Sequence, residues 1–193
     1  KFDKSAKCPI WLQTLDQVFQ GDTATIKTFQ LLLGLTLTGE VGEEFIIFAI
    51  GFGANGKSLL SNVVTAIIGE YAKTVPSSLL AARRGDDHSP RSDLAMLNGA
   101  RLVSINELPA GMQLNEQMVK QIAGREPISA RFLHKEFFTF LPRFTTWVRT
   151  NHKPIVKGDD DGIWRRIIPI PFRRKFAPHE QDPKLEAKLL AER

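Results

Sequence analysis

A single cysteine, Cys8, in 193 residues leaves no partner for an internal disulfide and too few thiolates for a Cys-based zinc cluster, and it takes redox chemistry out of consideration. Long apolar runs are missing too. None approaches the ~20 residues a membrane helix needs, and the N-terminus lacks the charged-then-apolar pattern of a signal peptide. These absences predict an intracellular, cytoplasmic protein. Repeats, low-complexity tracts and linkers rich in Pro, Ser or Gly are absent as well, so the chain suits one large α/β domain, or such a domain with a small helical annex. The net charge of +5 is modest, but it is unevenly placed. The first fifty residues are near neutral, whereas residues 131 to 175 hold eleven Lys or Arg against four acids. Phe132, Phe137, Phe138, Phe140 and Trp147 interleave with those cations. Cations meeting phosphates and rings stacking on bases make a nucleic-acid surface one reading of this third; a solvated basic face over core aromatics is the other.

What is present centres on Gly51-Phe52-Gly53-Ala54-Asn55-Gly56-Lys57-Ser58, which fits G-x-x-x-x-G-K-[ST]. Residues 45–50 ahead of it have the length and the β-branched or aromatic content of a buried strand, and Ser58 to Ile68 shows helical periodicity. Strand, loop and helix are the context a phosphate-binding P-loop requires. Gly51, Gly53 and Gly56 give the backbone φ values closed to other residues, so successive N–H groups turn inward around a phosphate chain, with Ala54 and Asn55 completing the cradle. Lys57 then reaches the terminal phosphates, Ser58 holds Mg²⁺, and the helix N-terminus adds partial positive charge. ATP and Mg²⁺ are the expected cofactors.

Arg101 to Glu107 reads as a second buried strand, ending in a carboxylate where a P-loop ATPase places its Walker B acid. Glu107 is positioned to polarise the attacking water or to serve the Mg²⁺ shell. Asn106 precedes it where many P-loop enzymes carry Asp. A third strand, 144–150, delivers Asn151 to the same sheet edge, where a polar amide orients water against the γ-phosphate. Two helices are expected before the P-loop strand, one from Pro9 to a stop at Gly21 and one capped by Asp22 or Thr23. Residues 73–76 form a short strand, 93–97 a short helix and 114–123 a helix stopped by Gly124. Residues 128–133 and 137–141 pair as a hairpin with its turn at His134-Lys135-Glu136. Arg83, Arg84 and Arg91 in the polar loop 81–92 are available to DNA or a neighbouring subunit, or are merely solvated. Residues 158–162 make an acidic turn before Arg165 and Arg166. Those two serve internal ion pairs or reach a neighbour's nucleotide as an arginine finger.

Taken together, these stretches resemble the superfamily 3 helicase module of phage and plasmid primase-helicases, which is similar to the poxvirus primase-helicase. The resemblance runs from residues 8–12 through 34–39, the P-loop, 101–107, 120–124, 128–131 and 150–154 to Ile163-Trp164-Arg165-Arg166. It implies an AAA+-like core with a central, mostly parallel sheet over 41–176, a helical annex over 1–40, a pre-sensor β-hairpin, and a C-terminal helix over 177–193 leading to a further domain. It implies a hexameric ring with ATP between subunits and single-stranded DNA in the channel, linked to primase and C-terminal DNA-binding domains and working in a bacterial host cytoplasm. Lys57 and Ser58 become phosphate and Mg²⁺ ligands, Glu107 the Walker B acid, Asn151 the sensor, and His134 and Lys135 the DNA grip. Arg165 or Arg166 becomes the finger. The function expected is an ATP-dependent replicative DNA helicase motor. The competing readings are an RNA motor or protein remodeller, and a DNA-binding or initiator module in which ATP drives ring assembly. A small-molecule kinase would leave the basic hairpin idle.

Overall fold

The computed structural model describes residues 5–82, 91–157 and 161–193. Arg83, Arg84 and most of the loop around them lie outside the described residues, as does the acidic turn from Gly158 to Asp160. Short β-branched runs bounded by turns form five parallel strands, the three central ones buried on both faces as strands of parallel sheets are. They are β1 (Ile46–Ile50), β2 (Ala72–Val75), β3 (Leu102–Asn106), β6 (Thr145–Thr150) and β7 (Ile167–Pro171), in the order β2-β3-β6-β1-β7. A separate antiparallel pair, β4 (Ile128–Ala130) with β5 (Phe138–Phe140), makes the hairpin.

Alternation along the strands sorts the core into two layers. Ile46, Phe48, Val103, Ile105 and Val148 face α4 (Ser92–Ala95), α5 (Glu116–Ala123), α6 (Asp161–Trp164) and the hairpin base. Ile47, Ala49, Leu102 and Trp147 face α1 (Pro9–Phe19), α2 (Thr23–Thr38) and α3 (Lys57–Ile68). The N-terminal helices therefore pack beside α3 on one face of the sheet. Phe29 meets the Trp147 ring edge-on at 5.5 Å, and the Trp147 indole N–H donates to Thr36 Oγ1 at 3.0 Å in the interior. α2 starts as its sequence predicts, with Asp22 accepting from Ala24 N and Thr25 N.

α1 starts differently. Cys8 gives no side-chain cap, and the first-turn N–H groups of Ile10 and Trp11 donate instead to the Glu192 carboxylate, each at 2.9 Å. Glu192 follows α7 (Leu185–Ala191), which packs on α1 and α3, so residues 177–193 fold back onto the body of the domain. Orphan N–H groups met by a carboxylate at a positive helix end make a cap. Glu192→Ala is expected to cost about 1 kcal/mol and to lower the melting temperature by roughly 3 °C. An unchanged Tm in thermal unfolding followed by circular dichroism would mean that water caps α1 equally well. Among the described residues no helix is long and apolar enough to cross a membrane.

Candidate functional site

β1, β6 and β3 lie side by side and run the same way, so whatever follows each strand meets at one sheet edge. The Gly51–Lys57 loop follows β1, Glu107 follows β3, and Asn151 follows β6. Together they line a cleft of about 640 Å³.

The loop is held from behind. Gly53, Ala54 and Gly56 have φ of +47°, +45° and +85°, a left-handed run of the kind that turns backbone N–H groups to one side and builds an anion concavity. At Gly56 a Cβ would come within 2.7 Å of Val18 Cγ2 on α1. At Gly51 it would fall against the Phe172 carbonyl and the Asn55 amide. Phe176 N donates to Ala54 O at 2.7 Å, so the chain after β7 straps the loop down. Asn55 accepts from Lys57 N at 3.3 Å. Its buried Nδ2 has no hydrogen-bond partner among the described residues.

Lys57 opens α3 and is buried, with 8% of its surface exposed. Its ammonium donates to Gly51 O and to Asn151 Oδ1, the latter at 3.1 Å, which joins the β1 loop to the end of β6 and leaves the third donor available. Burial first, and the charge of Arg149 second, hold its pKa below the ordinary lysine value. A buried ammonium under like-charge pressure gains from an incoming anion. Ser58 lines the same cleft from the first turn of α3. Glu107 sits at φ +56° with its N–H donating to Arg149 O at 2.9 Å. The sheet ladder thus holds a non-glycine residue in a left-handed conformation that costs about 1 kcal/mol, and such strain gathers at functional positions.

Sequence reasoning counted Arg149 only among the basic residues. It stands directly opposite Asn106 across β3 and β6, and its Nε donates to Asn106 Oδ1 at 2.9 Å. Ser104 Oγ donates to the same oxygen at 3.2 Å. Burial lowers the Arg149 pKa, and the Glu107 carboxylate works against that shift. The signal available in the sequence was a lone cation inside Thr145-Thr146-Trp147-Val148-Arg149-Thr150, one residue short of the strand's end.

For the expected Mg²⁺ the cleft offers few candidate ligands. Among the described residues no group of three or more His, Cys, Asp or Glu is arranged to hold a metal ion. Ser58 and Glu107 line the cleft, whereas the Asn106 oxygen is already engaged by two donors. One hydroxyl and one carboxylate suit an Mg²⁺ that arrives on a triphosphate, because this ion keeps most of its shell from phosphates and water.

The hairpin is shorter than its sequence suggests. Three-residue strands replace the expected 128–133 and 137–141, with pairing that stops at Ala130 opposite Phe138. Arg131 leaves the ladder to lie over the Phe137 ring at 4.6 Å, and Phe132 stacks on Phe138 at 6.1 Å. His134 is left-handed at φ +58° and, like Lys135, exposed. Of the five rings expected to interleave with cations, Phe140 and Trp147 are in the core and Phe138 packs against it. Phe132 and Phe137 are exposed.

The arginine pair divides. Arg166 donates to Gly162 O and to Glu44 Oε2, both at 2.7 Å, and is an internal ion-pair residue. Arg165 is exposed. Both precede β7, whose first residue pairs with Ile46 at the start of β1. They therefore lie at the sheet end opposite the cleft, roughly 17 Å away at strand rise, and do not reach the cleft of the same chain. Arg91 is bound to both Asp93 carboxylate oxygens at 2.8 and 2.9 Å.

The sequence profile of a family of unknown function, DUF5906, matches residues 49–166. Among curated proteins, the chain is 34% identical over 165 residues to "Putative helicase L207/L206" of Acanthamoeba polyphaga mimivirus, covering 86% of this chain and 17% of that protein. It is 26% identical over 159 residues to "Putative helicase 022R" of Frog virus 3, covering 80% of this chain and 16% of that protein. It is 28% identical over 142 residues to "Putative primase C962R" of African swine fever virus, covering 73% of this chain and 15% of that protein. The chain thus spans about a sixth of the length of these curated relatives, which come from large DNA viruses. The fold is shared with the apo structure of the NrS-1 C-terminal region, at a TM-score of 0.75 and 17% identity, over 99% of this chain and 44% of that one.

Proposed function

Because the chain belongs to the DUF5906 family, and its relatives carry helicase and primase names, we propose that it is the ATP-hydrolysing motor of a replicative DNA helicase. In this reading the fold is a P-loop NTPase core of the AAA+-like, superfamily 3 kind. The observation that carries the reading is the Lys57 Nζ to Asn151 Oδ1 contact at 3.1 Å, with Glu107 in the same cleft. That contact brings a phosphate-binding cation and a water-orienting amide to one point, with a carboxylate in reach.

The chain's own residues divide the work. The Gly51–Gly56 loop and Lys57 take the phosphates, and the Glu107 carboxylate draws a proton from the attacking water. Asn151 holds that water, or the γ-phosphate, against Lys57. Ser58 and Glu107 are the residues to hold Mg²⁺, which supplies charge neutralisation on the phosphate oxygens when bound. Since Arg166 is tied to Glu44, Arg165 is the better candidate to reach a neighbouring subunit's nucleotide in a ring, with a hexamer expected. The exposed hairpin tip, with His134, Lys135, Phe132 and Phe137, is where single-stranded DNA would be gripped.

The test separates hydrolysis from its coupling to DNA. Lys135→Ala is expected to keep basal ATPase within about twofold and to lose most of the stimulation by single-stranded DNA, since its work is a salt-sensitive phosphate contact and it is not among the residues that line the cleft. Stimulation by RNA rather than DNA would move the reading to an RNA motor. Equal loss of basal ATPase in this variant and in a cleft variant would sink the division of labour.

A further inference from the structure

Among the described residues, Lys57 and Arg149 are the two fixed cations lining the cleft, and Glu107 is the one carboxylate. The pair across β3 and β6 decides that balance, because Asn106 and Arg149 are matched in register. An acid at 106 with a neutral partner at 149 would leave the cleft two charges more negative. Two charges are what one Mg²⁺ carries.

The placement of Arg149 is specific. It shares the α3-facing side of the sheet with Ala49 and Trp147, below the first turns of α3, and lines the cleft alongside Lys57 and Ser58. Its Nε is spent on Asn106 Oδ1, and that oxygen is held from the other side by Ser104 Oγ. The guanidinium plane is therefore fixed by one edge, while its Nη groups have no hydrogen-bond partner among the described residues. Nor is its charge matched by an ion pair within 4 Å among those residues. Burial works against the charged form, so the residue gains when an anion enters beside it. The fork geometry of a guanidinium suits phosphate oxygens.

We propose that Arg149, oriented by Asn106, is a phosphate-facing residue that supplies charge a second metal-shell carboxylate would otherwise recruit through Mg²⁺, so that this site binds nucleoside triphosphate with little dependence on the metal. The inference rests on the nucleotide reading above and deepens it. Asn106 is then not a weakened Walker B position but one half of a replacement.

The experiment is equilibrium binding of a fluorescent ATP analogue, mant-ATP, to the full chain in EDTA and in excess Mg²⁺. The wild type is expected to bind in EDTA within about tenfold of its affinity in Mg²⁺. Arg149→Leu is expected to weaken binding in EDTA by about 10- to 100-fold, the loss of one charge-assisted contact of about 1.5–3 kcal/mol at tenfold per 1.4 kcal/mol, and binding in Mg²⁺ by only about fivefold. Asn106→Asp, which keeps the side-chain volume, is expected to impose metal dependence with Arg149 intact. It tests the proposal even if Arg149→Leu fails to fold, as judged by circular dichroism. Wild-type binding only in Mg²⁺, or equal weakening of Arg149→Leu in both conditions, overturns this inference and leaves the nucleotide reading standing. No binding in either condition overturns both.

Discussion

Replacing Lys57 with Ala is expected to abolish ATP hydrolysis, by at least about a hundredfold, and to weaken nucleotide binding, because the removed ammonium meets charge that grows in the transition state. The size follows from where the group sits. Lys57 is almost fully buried and joins Gly51 O to Asn151 Oδ1. Its loss therefore takes away a cation and also unpins the β6 terminus from the loop. Burial alone would argue that removing the ammonium stabilises the protein, since a desolvated charge is costly. Unfolding should accordingly show Lys57→Ala as stable as the wild type, or more so, in the absence of nucleotide. Steady-state ATPase with thermal unfolding checks both halves. Retained ATPase would show that the triphosphate does not lie against this amine.

Glu107→Gln should behave in the opposite way with respect to binding. The amide keeps the shape and the hydrogen-bonding capacity of the carboxylate but cannot accept a proton from water. Hydrolysis is expected to fall by about 10²- to 10⁴-fold while mant-ATP affinity is kept or improved. Improvement is the sharper expectation, because removing the one carboxylate that lines the cleft among the described residues leaves Lys57 and Arg149 unopposed before the anionic ligand. The variant also separates two readings of the ring. If DNA unwinding persists in Glu107→Gln, ATP serves assembly rather than motion, and the motor gives way to an initiator module. Loss of unwinding with assembly intact, seen by mass measurement in solution with a non-hydrolysable ATP analogue, supports the motor.

Local chemistry made much of this legible beforehand. A β-branched run, a glycine-rich loop ending in Lys57-Ser58 and an amphipathic run dictate strand, loop and helix with little help from the remainder of the chain. The carboxylate of Glu107 and the amide of Asn151 were recognisable for the same reason: each follows a short apolar strand. Asp22 announced its own cap, since an Asx side chain reaches N–H groups two and three residues ahead.

Contacts between distant residues were not legible, because no local pattern encodes them. Pro9 marks the start of α1, yet the cap is Glu192, 182 residues from Ile10. The first two helices are separated in sequence from α3, yet all three share one face of the sheet. The hairpin's apolar run predicts longer strands, whereas stacking of Phe132 on Phe138 and of Arg131 on Phe137 ends the pairing early.

The sequence by itself determined that a glycine-rich loop joins a short buried strand to a helix and that three strand ends carry polar groups, because backbone propensity and side-chain period act over a few residues. Only the tertiary structure decided which groups face one another. Parallel pairing put Lys57, Glu107 and Asn151 on one edge and carried Arg165 and Arg166 to the other. The same register set Arg149 against Asn106. A cation in a strand has two faces to choose from, and the sheet's pairing assigns it one.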